Sequence, residues 1–110
     1  MEGFIRGDII IIEFPYSDLK NVKRRPVLIL KVPKGEDVIV AQITGDSYEK
    51  PVEIILKKED FKQGSLKRDS YIRIDKISSI EKSLIKYKAG SLKQEKINEV
   101  IDKICFFLKN

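Results

Sequence analysis

Histidine and tryptophan are missing altogether from this chain, and cysteine and methionine occur once each. Without histidine there is no Ser-His-Asp triad and no histidine acid–base pair. The common zinc ligand is gone with it, and one cysteine cannot supply a thiolate site, so no metal or other cofactor is expected. A lone Cys105 cannot form an internal disulfide, and nothing argues for an oxidising compartment. Its place in an apolar pattern near the C-terminus marks it as a small core residue. Neither standard glycine-rich phosphate loop is found. No apolar run is long enough to span a bilayer. The segment Met1-Glu2-Gly3-Phe4-Ile5-Arg6 lacks the apolar stretch of a signal peptide. The expectation is a cytoplasmic protein with no membrane association.

What is present is charge. The 110 residues carry 22 basic and 17 acidic side chains, a net charge of +5 that favours an acidic partner such as nucleic acid. Only five of the basic residues are arginines, and Arg24, Arg25 and Arg73 fall in segments with other distinctive features. Arginine reads phosphate in a bidentate fashion, so its placement says more than the bulk charge. The length fits one domain, residues 1–110.

Along the chain, Ile9–Phe14 reads as a β-strand from its β-branched run. Pro15–Lys23 is a loop of turn formers, longer than a hairpin needs. Pro26 opens a second, buried strand that runs to about Val32, with Arg24 and Arg25 at its mouth. After a turn at 33–36, Asp37–Thr44 alternates: Ile39, Ala41 and Ile43 share one face, and Val38, Val40, Gln42 and Thr44 the other. Gly45-Asp46-Ser47 begins a polar loop. Val52–Leu56 is a fourth strand, and Lys57–Ser65 a charged connection with one helical turn near Glu59–Phe61. In a fifth strand, Asp69–Ile77, the alternation sets Tyr71, Arg73, Asp75 and Ile77 on one side. Ser79–Leu84 reads as a turn or short helix and Ile85–Ala89 as a last short strand. Ser91-Leu92-Lys93-Gln94 has the form of a capping box. The helix after it carries Ile97, Val100, Ile101, Ile104 and Leu108 as one apolar stripe. Several short strands and one helix in a small domain point to a bent sheet or small barrel.

Taken together, the segments Arg6-Gly7-Asp8-Ile9, Phe14-Pro15-Tyr16-Ser17-Asp18-Leu19, Lys23-Arg24-Arg25-Pro26-Val27-Leu28, Ala41-Gln42-Ile43-Thr44 and Tyr71-Ile72-Arg73-Ile74-Asp75-Lys76 resemble the MazF/PemK family of toxin endoribonucleases. The likeness continues through Leu84-Ile85 and Gly90-Ser91-Leu92, in order, over nearly the whole chain. It implies a mainly β fold with a C-terminal α-helix, a small SH3-like barrel of the MazF/CcdB type. It implies a homodimer that cleaves single-stranded RNA at short motifs without a metal, inhibited by a cognate antitoxin. Two rivals remain at this point: a CcdB-like topoisomerase poison that is not a nuclease, and a non-catalytic RNA- or DNA-binding barrel.

Carried over, the resemblance implies Arg25, Thr44, Arg73 and Asp75 as catalytic residues, and Arg24, Tyr16, Gln42 and Lys23 as RNA-binding ones. One branch of the family has a histidine in the first loop, a device this chain lacks. Metal-free RNA cleavage builds negative charge on the non-bridging oxygens as the 2′-hydroxyl attacks phosphorus. A fixed donor there contributes about 3–4 kcal/mol. Arg25 suits that task and is a poor proton donor, since a guanidinium keeps its charge. Asp75 can accept a proton, but a neighbouring Arg73 should lower its pKa. The plainer alternatives are a surface ion pair for Arg73–Asp75, a turn-starting hydroxyl for Thr44 and an exposed core-closing ring for Tyr16.

Overall fold

The computed structural model describes residues 3–14, 23–47 and 51–110. Among the described residues, seven strands form one antiparallel sheet: β1 (Asp8–Phe14), β2 (Lys23–Lys31), β3 (Asp37–Thr44), β4 (Glu53–Leu56), β5 (Phe61–Gly64), β6 (Ser70–Glu81) and β7 (Ile85–Leu92). An α-helix, α1 (Gln94–Lys109), follows. The spatial order is β4-β6-β3-β2-β1-β7-β5, so the longest apolar runs, β1 to β3, take the middle. The sheet curls into a half-barrel, the mainly β architecture with a C-terminal helix expected from the sequence. No helix among the described residues is long and apolar enough to cross a membrane.

Both faces of the central strands are apolar, which is why Ile9–Ile12 and Val27–Leu30 read as unbroken runs. Ile9, Leu28, Ala41, Ile43, Ile54 and Ile72 pack with Ile97, Val100 and Ile104 of α1. Ile10, Ile12, Val27, Ile29, Val38 and Val40 pack with Ile80 on the other face, closed by Phe4, Leu84 and Ile85. Each such fully buried aliphatic side chain contributes about 1.5–3 kcal/mol of transfer free energy.

The segment Arg6-Gly7-Asp8 is a structural corner. Asp8 is buried, accepts from the Ser91 hydroxyl at 3.0 Å and from the Ile5 N–H at 3.0 Å, and has Lys88 Nζ at 3.9 Å. Arg6 Nε donates to the Leu30 carbonyl at 2.8 Å. Gly7 has φ +97°, and a Cβ there would lie 2.2 Å from Ile97 Cδ1. Only glycine accepts that backbone and lets α1 approach so closely.

Several sequence expectations are corrected. Ser91 lies in β7, and its hydroxyl is committed to Asp8; the helix N-cap is Lys93, which makes no side-chain cap bond. Cys105 is exposed, and so is Leu108, because the buried stripe of α1 runs through Ile97, Val100 and Ile104 and leaves the last turn uncovered. The charged connection holds a 3₁₀ turn, Lys58–Asp60, and then β5, which pairs with β7 through the close approach of Gly64 to Gly90. A four-residue strand with one buried residue, Phe61, has too little alternation to be read from sequence.

β6 also runs four residues beyond the expected Ile77, and it does so through a break in register. Gln42 pairs with Arg73, but the preceding Ala41 pairs with Ile77, so residues 74–76 form an excursion with no partner in β3. Ile74 N–H donates instead to the Val52 carbonyl at 3.0 Å. An excursion of three residues reverses the alternation. Ile77 therefore faces with Ala41 and not with Arg73, which corrects the single-face reading of Tyr71, Arg73, Asp75 and Ile77.

Candidate RNA-processing site

Strand register places the candidate side chains in two adjacent rows. The first row crosses four ladders: Ile10 opposite Val27, Val27 opposite Gln42, Gln42 opposite Arg73, and Arg73 opposite Glu53. Residues directly opposed in antiparallel strands share a face. In the second row, Ile12 is opposite Arg25, and Thr44 is opposite Tyr71, itself opposite Ile55. The β2–β3 ladder ends at Val27↔Gln42. It stops beside Pro26, which has no N–H to give. Continuing the register by two residues sets Arg25 against Thr44. Arg25, Thr44, Gln42 and Arg73 therefore share one face of three neighbouring strands, where the apolar rows of Val27, Val38 and Val40 give way to polar side chains.

The arginine and the carboxylate of β6 are bound to each other. Arg73 Nε donates to Asp75 Oδ1 at 2.9 Å and Nη2 to Oδ2 at 2.7 Å. The Arg73 side chain is 8% exposed and that of Asp75 28%, so this pair is partly withdrawn from solvent. The Arg73 hydrogen bonds hold the Asp75 carboxyl below its usual range, against the opposing push of burial; the nearby charge of Lys76 adds to the lowering. Asp75 is ionised at neutral pH, a weak base and a strong clamp. Asp75 lies within the excursion at 74–76, which has no partner in β3.

Thr44 begins the turn that leaves β3. Its Oγ1 accepts from the Asp46 N–H at 3.2 Å and donates a long bond of 3.4 Å to the Asp46 carbonyl. The first bond fixes the oxygen; the second is weak enough that the proton can turn to an incoming acceptor.

The two neighbouring arginines part company. β2 begins at Lys23, so Arg24 and Arg25 lie within the strand and project to opposite faces. Arg24 Nε meets Glu13 Oε2 at 3.5 Å on the face away from Thr44. Lys23 is exposed and on the Arg25 side of the strand. Tyr16 and most of the loop Pro15–Lys23 lie outside the described residues. Two side chains that the sequence did not single out join the rows. Glu53, opposite Arg73, accepts from the Ser47 hydroxyl at 2.8 Å. Tyr71 sits beside Thr44. Their signal was the alternation of β4 and β6, but only the register between strands shows which neighbours they meet. Among the described residues no group of three or more His, Cys, Asp or Glu is placed to hold a metal ion.

Residues 5–108 match the family model described as PemK-like, MazF-like toxin of type II toxin–antitoxin system. The fold is similar to a MazE–MazF crystal structure from Deinococcus radiodurans, with a TM-score of 0.80 at 17% identity, covering 99% of this chain and 98% of that one. It is similar to the Mycobacterium tuberculosis toxin MazF-mt6, with a TM-score of 0.70 at 23% identity over 88% and 91% of the two chains. It is also similar to an endoribonuclease from a mycobacterial species in complex with its cognate antitoxin, with a TM-score of 0.72 at 15% identity over 97% and 96%.

Proposed function

This chain belongs to the PemK-like, MazF-like toxins of type II toxin–antitoxin systems and is a toxin endoribonuclease of that family, and from this premise we propose that it cuts single-stranded RNA in the cytoplasm at the face shared by Arg25, Thr44, Gln42 and Arg73. What supports this most is the register: extended two residues past the last β2–β3 pair, Val27↔Gln42, it sets a guanidinium from β2 against a hydroxyl from β3, one row from a clamped guanidinium on β6.

In this reading the RNA 2′-hydroxyl loses its proton and its oxygen bonds to the adjacent phosphorus. The P–O5′ bond breaks, and the departing 5′-oxygen takes a proton. The products are a 2′,3′-cyclic phosphate and a 5′-hydroxyl. Arg25 meets the charge that builds on the non-bridging oxygens, and Thr44 donates its hydroxyl to the same phosphate. Arg73, oriented by Asp75, supplies a second fixed positive charge, and Gln42 between them offers amide donors and acceptors to the substrate. Arginine charge takes the part a metal ion plays in other nucleases, so no metal is required.

The partners follow from surface chemistry. A face bearing Lys23, Arg25 and Arg73 suits an acidic antitoxin segment that folds as it binds. Phe106, Phe107 and Leu108 are exposed at the end of α1, 71%, 41% and 70% respectively, beside a groove lined by Pro51, Val52 and Ile74. Such a patch supports a homodimer that covers it.

The test is cleavage of a long RNA of known sequence in EDTA, with both ends of each product identified. A single 2′-deoxy substitution at a mapped site should stop cutting there. Cleavage that requires added metal, or that ignores the missing 2′-hydroxyl, overturns the mechanism.

A further inference from the structure

A cavity with an apolar floor and a basic wall lies on the opposite face of β2 from Arg25. Its floor is a register row: Pro26 opposite Ile11, and Ile11 opposite Tyr87. The cavity encloses about 510 Å³, and Lys67, Arg68 and Lys88 line its wall with no carboxylate among its lining residues. The Tyr87 ring is 52% exposed, an unusual position for an aromatic over an apolar floor. The cavity touches the candidate site at two points in the chain: Pro26 follows Arg25, and Gly45 follows Thr44.

The contact at Gly45 is close. A Cβ on that residue would lie 2.1 Å from Arg68 Nη2 and 2.7 Å from its Cζ, so the guanidinium rests directly on the turn that holds the Thr44 hydroxyl. Gly45 leaves room for this approach of Arg68, which a side chain there would push aside. Arg68 is otherwise lightly held. Its ion pair with Asp46 is 3.8 Å long, and the two side chains are 68% and 76% exposed. A pair that open is worth little and yields readily to a phosphate.

We propose that this cavity is a subsite for a nucleotide flanking the scissile one, with Tyr87 stacking its base and Arg68 and Lys67 holding its phosphate. The inference rests on the RNA-cleaving reading of the adjacent site and extends it: the strand passes Arg25 and Thr44, crosses the ends of β2 and β3, and turns onto the Pro26 face. Arg24 projects onto that same face. An exposed ring over an apolar floor and loosely paired cations beside it are the two elements that hold unpaired nucleic acid without reading its sequence. The expected consequence is an enzyme whose affinity rises with RNA length while its cleavage motif stays the same.

The experiment compares a short oligonucleotide holding only the mapped cleavage motif with the same motif extended by six uridines on each side. Wild type should show a KM about ten-fold lower on the extended RNA, the size of one base-stacking and one phosphate contact. Arg68→Gln and Tyr87→Ala should each remove most of that gain, with kcat and short-substrate kcat/KM unchanged. Arg68→Gln should also reduce the salt slope of extended-RNA binding by about one ion. The salt slope is read by fluorescence anisotropy in an Arg25→Ala background, so the binding arm decides the subsite even if no RNA is cut. The inference is overturned if wild type shows no length dependence, if both variants retain it, or if they lose activity on the short RNA. Retention by both variants together with weaker binding of an acidic peptide would assign the cavity to a protein partner.

Discussion

Two polar clusters in this molecule carry segments by which it resembles its family, and they do opposite things. At the Arg6-Gly7-Asp8 corner the polar atoms are turned inward: Asp8 is buried and bonded to Ser91 and Ile5, Arg6 reaches the Leu30 carbonyl, and Gly7 makes room for Ile97. At the Arg25–Thr44–Arg73 rows the polar atoms lie where an apolar face ends. Arg25 is exposed, and the proton of Thr44 makes only a long bond. Similar motif strength thus marks a structural joint in one place and a candidate reaction site in the other. The difference is visible in burial: Asp8 is withdrawn from solvent and Arg25 is open to it.

The sharpest way to break the comparison is to remove one residue from each side. Arg25→Ala should reduce RNA cleavage by a factor on the order of 10² to 10³ with little change in melting temperature, as expected for loss of one fixed charge at a developing oxyanion. Retained activity at the wild-type rate would remove Arg25 from the site. Asp8→Ala should do the reverse. Leaving the Ser91 hydroxyl and the Ile5 N–H without their acceptor should cost about 2–3 kcal/mol, a fall of roughly 10 °C in a domain of this size, while activity below the new midpoint persists. A stable Asp8→Ala protein without activity would place the corner in the chemistry.

The smallest effect is expected at the Arg73–Asp75 pair, which belongs partly to each cluster. The Asp75 pKa is lowered in the folded protein from an ordinary value of 3.8. Its stabilising contribution is therefore fully present above that value and is lost as pH falls through the lower folded value. Asp75→Asn should remove this component, giving an acid-unfolding curve that is flatter below about pH 4 than that of the wild type. At neutral pH the variant should cleave more slowly, because Arg73 is left less firmly oriented. An unchanged acid limb would show that the pair does not hold in solution.

Much of the architecture could be read from the chain because the apolar runs in β1 to β3 are long and β-branched. The spacing of Ile97, Val100 and Ile104 likewise leaves no alternative to a helix packed on one side. The shared face of Gln42 and Thr44 followed from alternation alone. What escaped depends on contacts between distant segments. Ser91 is a good helix cap by sequence and is taken by Asp8, 83 residues away in the chain. β5 exists because Gly64 and Gly90 allow two backbones to meet. The opposed projection of Arg24 and Arg25 required knowing that β2 begins at Lys23, before the proline. The Arg68 guanidinium over Gly45 leaves no local trace at all, since nothing near either residue names the other.

The unpaired stretch 74–76 carries a further consequence for how this chain can vary in length. Because three is odd, it works as a frameshift in the side-chain sequence of β6. Tyr71 and Arg73 meet Thr44 and Gln42 on one side of it, and Ser78 and Ile80 meet Val40 and Val38 on the other. One residue more or fewer there would force a choice: either a guanidinium would be traded for an isoleucine opposite Gln42, or Ile80 would be turned out of the core it closes. In this stretch length is tied to which group the substrate meets.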